Sequence, residues 1–234
     1  MRVGSAHQNV YIEDTLANKT SAVIFDFDGV VADTNGMHLI AWDLAHQTLM
    51  GQGIERIDRL SGRRTETIAS ILSGESKGRF QAADIRDLKK NLILQGAITC
   101  KPIDGVETFF AYLEEHGITW GIASNSSHQF VSSIVNRFAM KPHVLVSAEE
   151  VPKAKPAPDI YWRCANLLGV DPKHRSDIVF FEDSEHGLKA GISAGMRPIG
   201  IATDVPAKNL LAAGAEQVFK NFTEALHSVD KILR

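Results

Sequence analysis

The chain has 234 residues, 44% of them hydrophobic and 23% charged, enough for one large buried core with a modest insert. A formal net charge of −3 offers no global attraction to nucleic acid or anionic lipid, so any affinity for phosphate has to be local. No apolar run approaches the roughly 20 residues that span a bilayer, and two distant cysteines, Cys100 and Cys164, without Cys-x-x-Cys spacing, suit a reducing compartment.

Residues 1–20 read as a polar leader without the apolar centre of a secretion signal, so a cytoplasmic location is expected. The next stretch, Ser21-Ala-Val-Ile-Phe-Asp26, reads as a short buried strand ending in carboxylates. From about residue 35 to 100 the pattern turns helical, with segments near 37–49, 64–72 and 83–97 and no convincing strand. Pro102, Asp104 and Gly105 mark a return hinge. Beyond it, apolar runs at 118–123, 144–146, 178–181 and 198–201 alternate with helical patterns at 105–116, 129–138, 158–168 and 186–194. Such alternation predicts an α/β fold, a doubly wound, Rossmann-like parallel sheet covered by helices on both faces. The expected organisation is a leader (1–20), an α/β core domain (21–34 and 102–234), and a small helical cap domain (35–101) inserted after the first strand.

Ligands of such sheets bind at the carboxyl ends of the strands, and four unusual clusters fall there. Asp26 and Asp28 stand at i and i+2, a spacing that aims both carboxylates into one cavity. Nearby carboxylates repel, so the pair suits a bound cation or a retained proton. Gly29 permits a sharp turn and close backbone approach to a ligand. Ser124-Asn125-Ser126-Ser127 follows a strand and opens a helix, where Ser and Asn serve either as caps or as contacts for an anion. Lys155, held among prolines just before a helix, is either a surface lysine or a cation that neutralises phosphate and nucleophile together. Glu182-Asp183 is either an acidic turn or part of a Mg²⁺ site completed by water and substrate phosphate. Asp26, the Asp28 carbonyl and Asp183 are the expected protein ligands, with Glu182 a further ligand or an orienting group behind them.

Taken together, Asp26-Phe-Asp28-Gly29-Val, Ser124, Lys155 and Glu182-Asp183 resemble the four motifs of the haloacid dehalogenase superfamily. The likeness runs from about Ser21 onward, and Lys155-Pro-Ala-Pro-Asp-Ile and Glu182-Asp-Ser, followed by Gly187 and Ala190-Gly191, are especially typical. The helical insert is similar to the cap of the β-phosphoglucomutase-like branch. This resemblance implies Asp26 as nucleophile, Asp28 as general acid and base, Ser124 and Lys155 as phosphate binders, and Asp183 for magnesium; Asn125 is placed beside Ser124 as a further phosphate contact. The acid role asks for a raised pKa at Asp28, which a neighbouring carboxylate and partial desolvation favour.

In the insert, His38 and Trp42 match residues that contact sugar and proton relay in the mutases, and Lys90-Asn91 resembles a cap contact to substrate. Arg63, Arg64 and Thr65 lie where the mutases carry a phosphate-clamping arginine, and are candidates for choosing the substrate. The clamp is out of register here, and Ser127-His128 stands where mutases use Lys-Asn. The expected activity is therefore a Mg²⁺-dependent phosphatase that hydrolyses a small phosphorylated metabolite, a sugar phosphate by preference, through an aspartyl-phosphate. A sugar-phosphate mutase is the alternative, and a phospho-accepting switch or non-catalytic binding module is the alternative of another class. Neither nucleic acid nor membrane is an expected partner, and no protein partner is indicated.

Overall fold

In the computed structural model, which describes residues 20–60, 65–96 and 99–234, the central element is β1 (Ala22–Phe25). All four residues are buried, because the strand is covered on both faces; hence its unbroken apolar sequence. β2 (Thr119–Ser124) and β4 (Ile178–Glu182) flank it, with β3 (Val144–Ser147) beyond β2, and β5 (Arg197–Ile201) and β6 (Gln217–Phe219) beyond β4. Every pairing is parallel, giving the order β3-β2-β1-β4-β5-β6 and the expected doubly wound sheet. β6 is an addition to the expected strands; at three residues, mostly half-buried, it carries too little pattern to be read.

Side chains alternate along β1. Val23 and Phe25 join one core cluster, where Phe25 stacks on Phe181 with centroids 5.2 Å apart, while Ala22 and Ile24 join the other. The first face is covered by α4 (Val106–Glu115), α5 (His128–Arg137), α9 (Phe222–Leu226) and α10 (Val229–Ile232). The second is covered by α6 (Asp159–Leu167), α7 (Glu185–Ser193) and α8 (Ala207–Ala212).

Between β1 and α4 lie α1 (Asn35–Met50), α2 (Thr65–Glu75) and α3 (Ala82–Gly96). They build a core of their own around Trp42, Leu60, Ile68, Leu72 and Ile85. The outgoing and returning chain lie side by side, with Asp33 N–H donating to Lys101 O at 2.9 Å and Ile103 N–H to Val31 O at 3.0 Å. The expected leader, apart from Thr20, and both Arg63 and Arg64 lie outside the described residues. Among the described residues no helix is long and apolar enough to cross a membrane.

Candidate active site

From β1 the sheet is built outward on both sides, so the crevice at its carboxyl end is the topological switch point of the fold. Phe25 pairs with Ile122 on one side and Phe181 on the other, and the Asp26 N–H donates to Phe181 O at 2.9 Å. Asp26, Ser124 and Glu182-Asp183 consequently emerge together.

Lys155 reaches this point from the loop before α6 and is 4% exposed. Its Nζ donates to Asp26 Oδ1 at 2.7 Å and to Glu182 Oε1 at 2.5 Å. Asn125 clamps the lysine's backbone, accepting its N–H at 3.0 Å and donating to its carbonyl at 3.3 Å. Glu182 is saturated. Its Oε1 also accepts the Tyr161 hydroxyl at 3.0 Å, and its Oε2 accepts the N–H groups of Asp183 and Ser184 and the Ser184 hydroxyl at 3.2, 3.3 and 3.0 Å. Asp183 Oδ2 accepts from Asn35 at 2.7 Å, and the Thr203 hydroxyl, which donates to Gly29 O at 2.6 Å, lies 3.3 Å from it. Gly29, at φ +74°, closes this corner: a Cβ there would stand 2.0 Å from Asp183 Oδ2.

Asp28 sits in a separate net. Oδ1 accepts the Thr34 hydroxyl at 2.5 Å and His38 Nε2 at 3.1 Å, while Oδ2 accepts the hydroxyls of Ser126 at 2.6 Å and Ser124 at 3.4 Å. Behind His38, Lys89 Nζ stands 2.9 Å from Nδ1, while Nε2 faces Asp28. Lys89 is buried, and that burial pushes its pKa down to about 8.

The electrostatics separate the two aspartates in the opposite sense to the sequence expectation. Burial, and then the charge of Glu182, push Asp26 up to about 8 despite Lys155. Burial also works to raise Asp28, but the charge and hydrogen bond of His38, with the hydroxyls of Ser126 and Thr34, outweigh it and hold the carboxyl well below its usual range. The expectation of a raised pKa at Asp28 is therefore corrected: the three donors come from segments whose apposition the sequence does not reveal. Asp183 is raised well above its ordinary value by burial and by Glu182 and Asp26.

A divalent cation fits this donor set. Carboxylate oxygens of Asp26, Glu182 and Asp183 lie within 4.8 Å of one another, all three residues buried. Among the described residues no hydrogen bond reaches Asp26 Oδ2 or Asp183 Oδ1, leaving two oxygens free beside a surplus of negative charge. Both oxygens of Glu182 are already engaged, Oε1 by Lys155 and Tyr161 and Oε2 by Ser184 and the Asp183 N–H.

The sequence of this chain fits a haloacid dehalogenase-like hydrolase family model over residues 23–201. The chain belongs to the haloacid dehalogenase-like hydrolase family. It is 34% identical to a β-phosphoglucomutase of Bacillus subtilis, over 79% of this chain and 84% of that protein. With hexitol phosphatase B of Escherichia coli it shares 30% identity, covering 76% and 82% of the two chains. The crystal structure of a HAD hydrolase of family IA, variant 3, from Entamoeba histolytica superposes with a TM-score of 0.79 at 25% identity, covering 92% of this chain and all of the other. Membership, with phosphatases among the relatives, places the chain among phosphoryl-transfer enzymes.

In this haloacid dehalogenase-like hydrolase a cleft of about 1240 Å³ opens over the site, walled on one side by the sheet's loops and on the other by α1, α2 and α3. His38, Trp42 and Thr65 line it as expected, although Trp42 is 2% exposed and belongs mainly to the helical core. Lys89 makes the inward contact to His38, whereas Lys90 is exposed on the cleft wall. Asn125, expected to touch phosphate, makes one hydrogen bond to Lys155 from each end of its side-chain amide, and among the described residues its second N–H is left over for another acceptor. Asn35, Ser126, Tyr161 and Thr203 went unread as site residues; of these only Ser126, inside the Ser-Asn-Ser-Ser run, carried a usable signal.

Proposed function

We propose that this enzyme is a Mg²⁺-dependent phosphatase that hydrolyses a small phosphorylated metabolite, a sugar phosphate by class, through an aspartyl-phosphate at Asp26. The observation that carries this reading is the buried Asp26 carboxylate at the end of the central strand, bridged to Lys155 at 2.7 Å and grouped with Asp183. Phosphatases and a sugar-phosphate mutase among the relatives support the substrate class.

Asp26, Asp183 and the Asp28 carbonyl would hold Mg²⁺, which supplies charge neutralisation for the phosphoryl oxygens and keeps Asp26 ionised. An Asp26 oxygen attacks phosphorus while the bond to the leaving alkoxide breaks, and Asp28 gives that oxygen its proton. A water that returns its proton to Asp28 then attacks the same phosphorus, releasing inorganic phosphate and free Asp26. Lys155 and the Ser124 hydroxyl face the phosphoryl oxygens, and such transfers depend chiefly on this positioning.

Substrate binding provides what Asp28 lacks in the free site. A phosphate dianion beside it disfavours its charged form, and each hydroxyl drawn from Asp28 to phosphate removes a bond that keeps it ionised. The Lys89–His38 pair behind it offers a route for the proton. Residues 35–101 act as a cap that closes over the cleft, with Thr65 at the start of α2 facing the substrate.

The test is a screen of phosphorylated sugars and sugar acids with Mg²⁺, following free phosphate and isomerised product side by side. Phosphate release without isomerisation is the expected result. Isomer formation primed by a bisphosphate would replace this reading with the mutase.

A further inference from the structure

The wall of the cleft beyond Ser126 carries an anion of its own. The Ser127 hydroxyl caps α5 by accepting the Phe130 N–H at 3.4 Å, and the His128 N–H donates to Glu149 Oε2 at 3.2 Å. Glu149 belongs to the turn Ala148–Glu150 that follows β3. That turn is locked: Glu150 Oε1 accepts the Ser147 N–H at 2.9 Å and the Ser147 hydroxyl at 3.1 Å, and lies 3.3 Å from His128 Nδ1. Glu150 is thus committed to its own turn, and the neighbouring Glu149 carboxylate lies across the first turn of α5.

Helix α5 is ten residues long, and its N-terminus carries partial positive charge and N–H groups that would otherwise meet an anion. Glu149, Ser126 and Ser127 line the same cleft as Asp26. The Ser126 hydroxyl touches Asp28 at 2.6 Å, and His128 is two residues further on, a span of at most about 7 Å. The cleft that holds Asp26 therefore runs on to Glu149, within reach of a sugar-sized substrate whose phosphate sits at Asp26.

We propose that Glu149 is a specificity-determining residue. Its carboxylate, held by the His128 N–H, takes the place of an anion at the start of α5 and rejects substrates whose remote end carries a second phosphate or carboxylate, so that the cleft admits monophosphates with a neutral, hydroxylated tail. This inference rests on the phosphatase reading above. Two unit charges about 4 Å apart repel by the equivalent of roughly fivefold in water and several hundredfold at the lower effective dielectric of a protein surface.

The experiment is steady-state kinetics with Mg²⁺ on a matched pair, a hexose monophosphate and the bisphosphate of the same hexose, for the wild type, Glu149→Gln and Glu149→Ala. Gln retains an acceptor for the His128 N–H, so the pair of variants separates charge from the loss of the turn contact. The expected result is a rise of about tenfold or more in kcat/KM for the bisphosphate in both variants, a gain that shrinks as salt screens the charge. No rise in either variant, with a wild type active on the monophosphate, overturns the role of Glu149 and leaves the phosphatase intact. A folded wild type that turns over no compound of the screen with Mg²⁺ refutes the phosphatase reading, and this inference falls with it.

Discussion

Replacing Lys155 with Met removes a buried ammonium while keeping most of its volume, and strands the carboxylates of Asp26 and Glu182 that it bridges at 2.7 and 2.5 Å. Removing one partner of a buried ion pair costs about 3–5 kcal/mol. Asp26 is already pushed up to about 8 and can accept a proton in the variant, so the lower end, about 3 kcal/mol at pH 7, is expected. For a chain of this size that corresponds to a fall in Tm of about 6–12 °C. The sign with pH follows from the carboxyl. Losing Lys155 lifts the folded-state pKa of Asp26 further above its unfolded value, and a group so raised favours the folded state at low pH and loses that contribution as pH rises through the folded pKa. Lys155 itself is raised, because Asp26 and Glu182 outweigh the burial that pulls it down, so in the wild type it stays charged throughout this window. Urea melts without metal should therefore show the variant's deficit nearly constant below about pH 7 and growing as pH rises through about 8, the folded-state value of Asp26 in the wild type. The Asp26→Asn/Lys155→Met double variant should lose less than the sum of its parts by at least about 1 kcal/mol. A deficit under about 1 kcal/mol, unchanged as pH rises through 8 and additive with Asp26→Asn, would refute the reasoning.

Gly29→Ala should cost about 1–3 kcal/mol in urea melts and abolish Mg²⁺ binding by calorimetry, since φ +74° is strained for Ala and its Cβ would meet Asp183 Oδ2 at 2.0 Å; wild-type stability and affinity would count against the corner described. Tyr161→Phe deletes a 3.0 Å bond to the buried Glu182 charge, and a loss of about 1.5–3 kcal/mol is expected, whereas a change within 0.5 kcal/mol, about the ordinary surface effect, would mean the bond is idle. Saturable stabilisation by Mg²⁺ in thermal melts should vanish in Asp183→Asn and persist in Asp28→Asn, whose turnover should nevertheless fall by about 10²–10⁴. Equal Mg²⁺ responses in the two variants would contradict the division of labour between the aspartates.

The fold was legible because the sheet is buried on both faces: strands 22–25, 119–124 and 178–182 are apolar runs, and the polar residues that end them stand out. Asp26, Lys155 and Asp183 could be picked for the same reason, since a charge at the end of a buried strand or among prolines breaks the local pattern. The supporting residues break none. Tyr161 is one aromatic on an amphipathic helix, Thr203 is a loop threonine, and Lys89 sits in a Lys-Lys pair that reads as solvated until α3 packs on α1 and buries it. Asn125 and Glu182 stand out in sequence, but their hydrogen bonds to Lys155 join segments 27–30 residues apart and leave no local signal. The state of Asp28 was misjudged because its donors Thr34, His38 and Ser126 meet only in three dimensions.

The direct measurement is chemical trapping of the phosphorylated side chain. The enzyme is mixed with Mg²⁺ and a substrate found in the screen, quenched within one turnover, reduced with borohydride and digested for mass spectrometry. An acyl phosphate at residue 26 is converted to homoserine, so the peptide holding Asp26 should carry that change, and Asp28→Asn should accumulate it if the second step is slowed more than the first. Phosphate released at full rate with residue 26 unmodified, or with the modification on another side chain, would contradict the account.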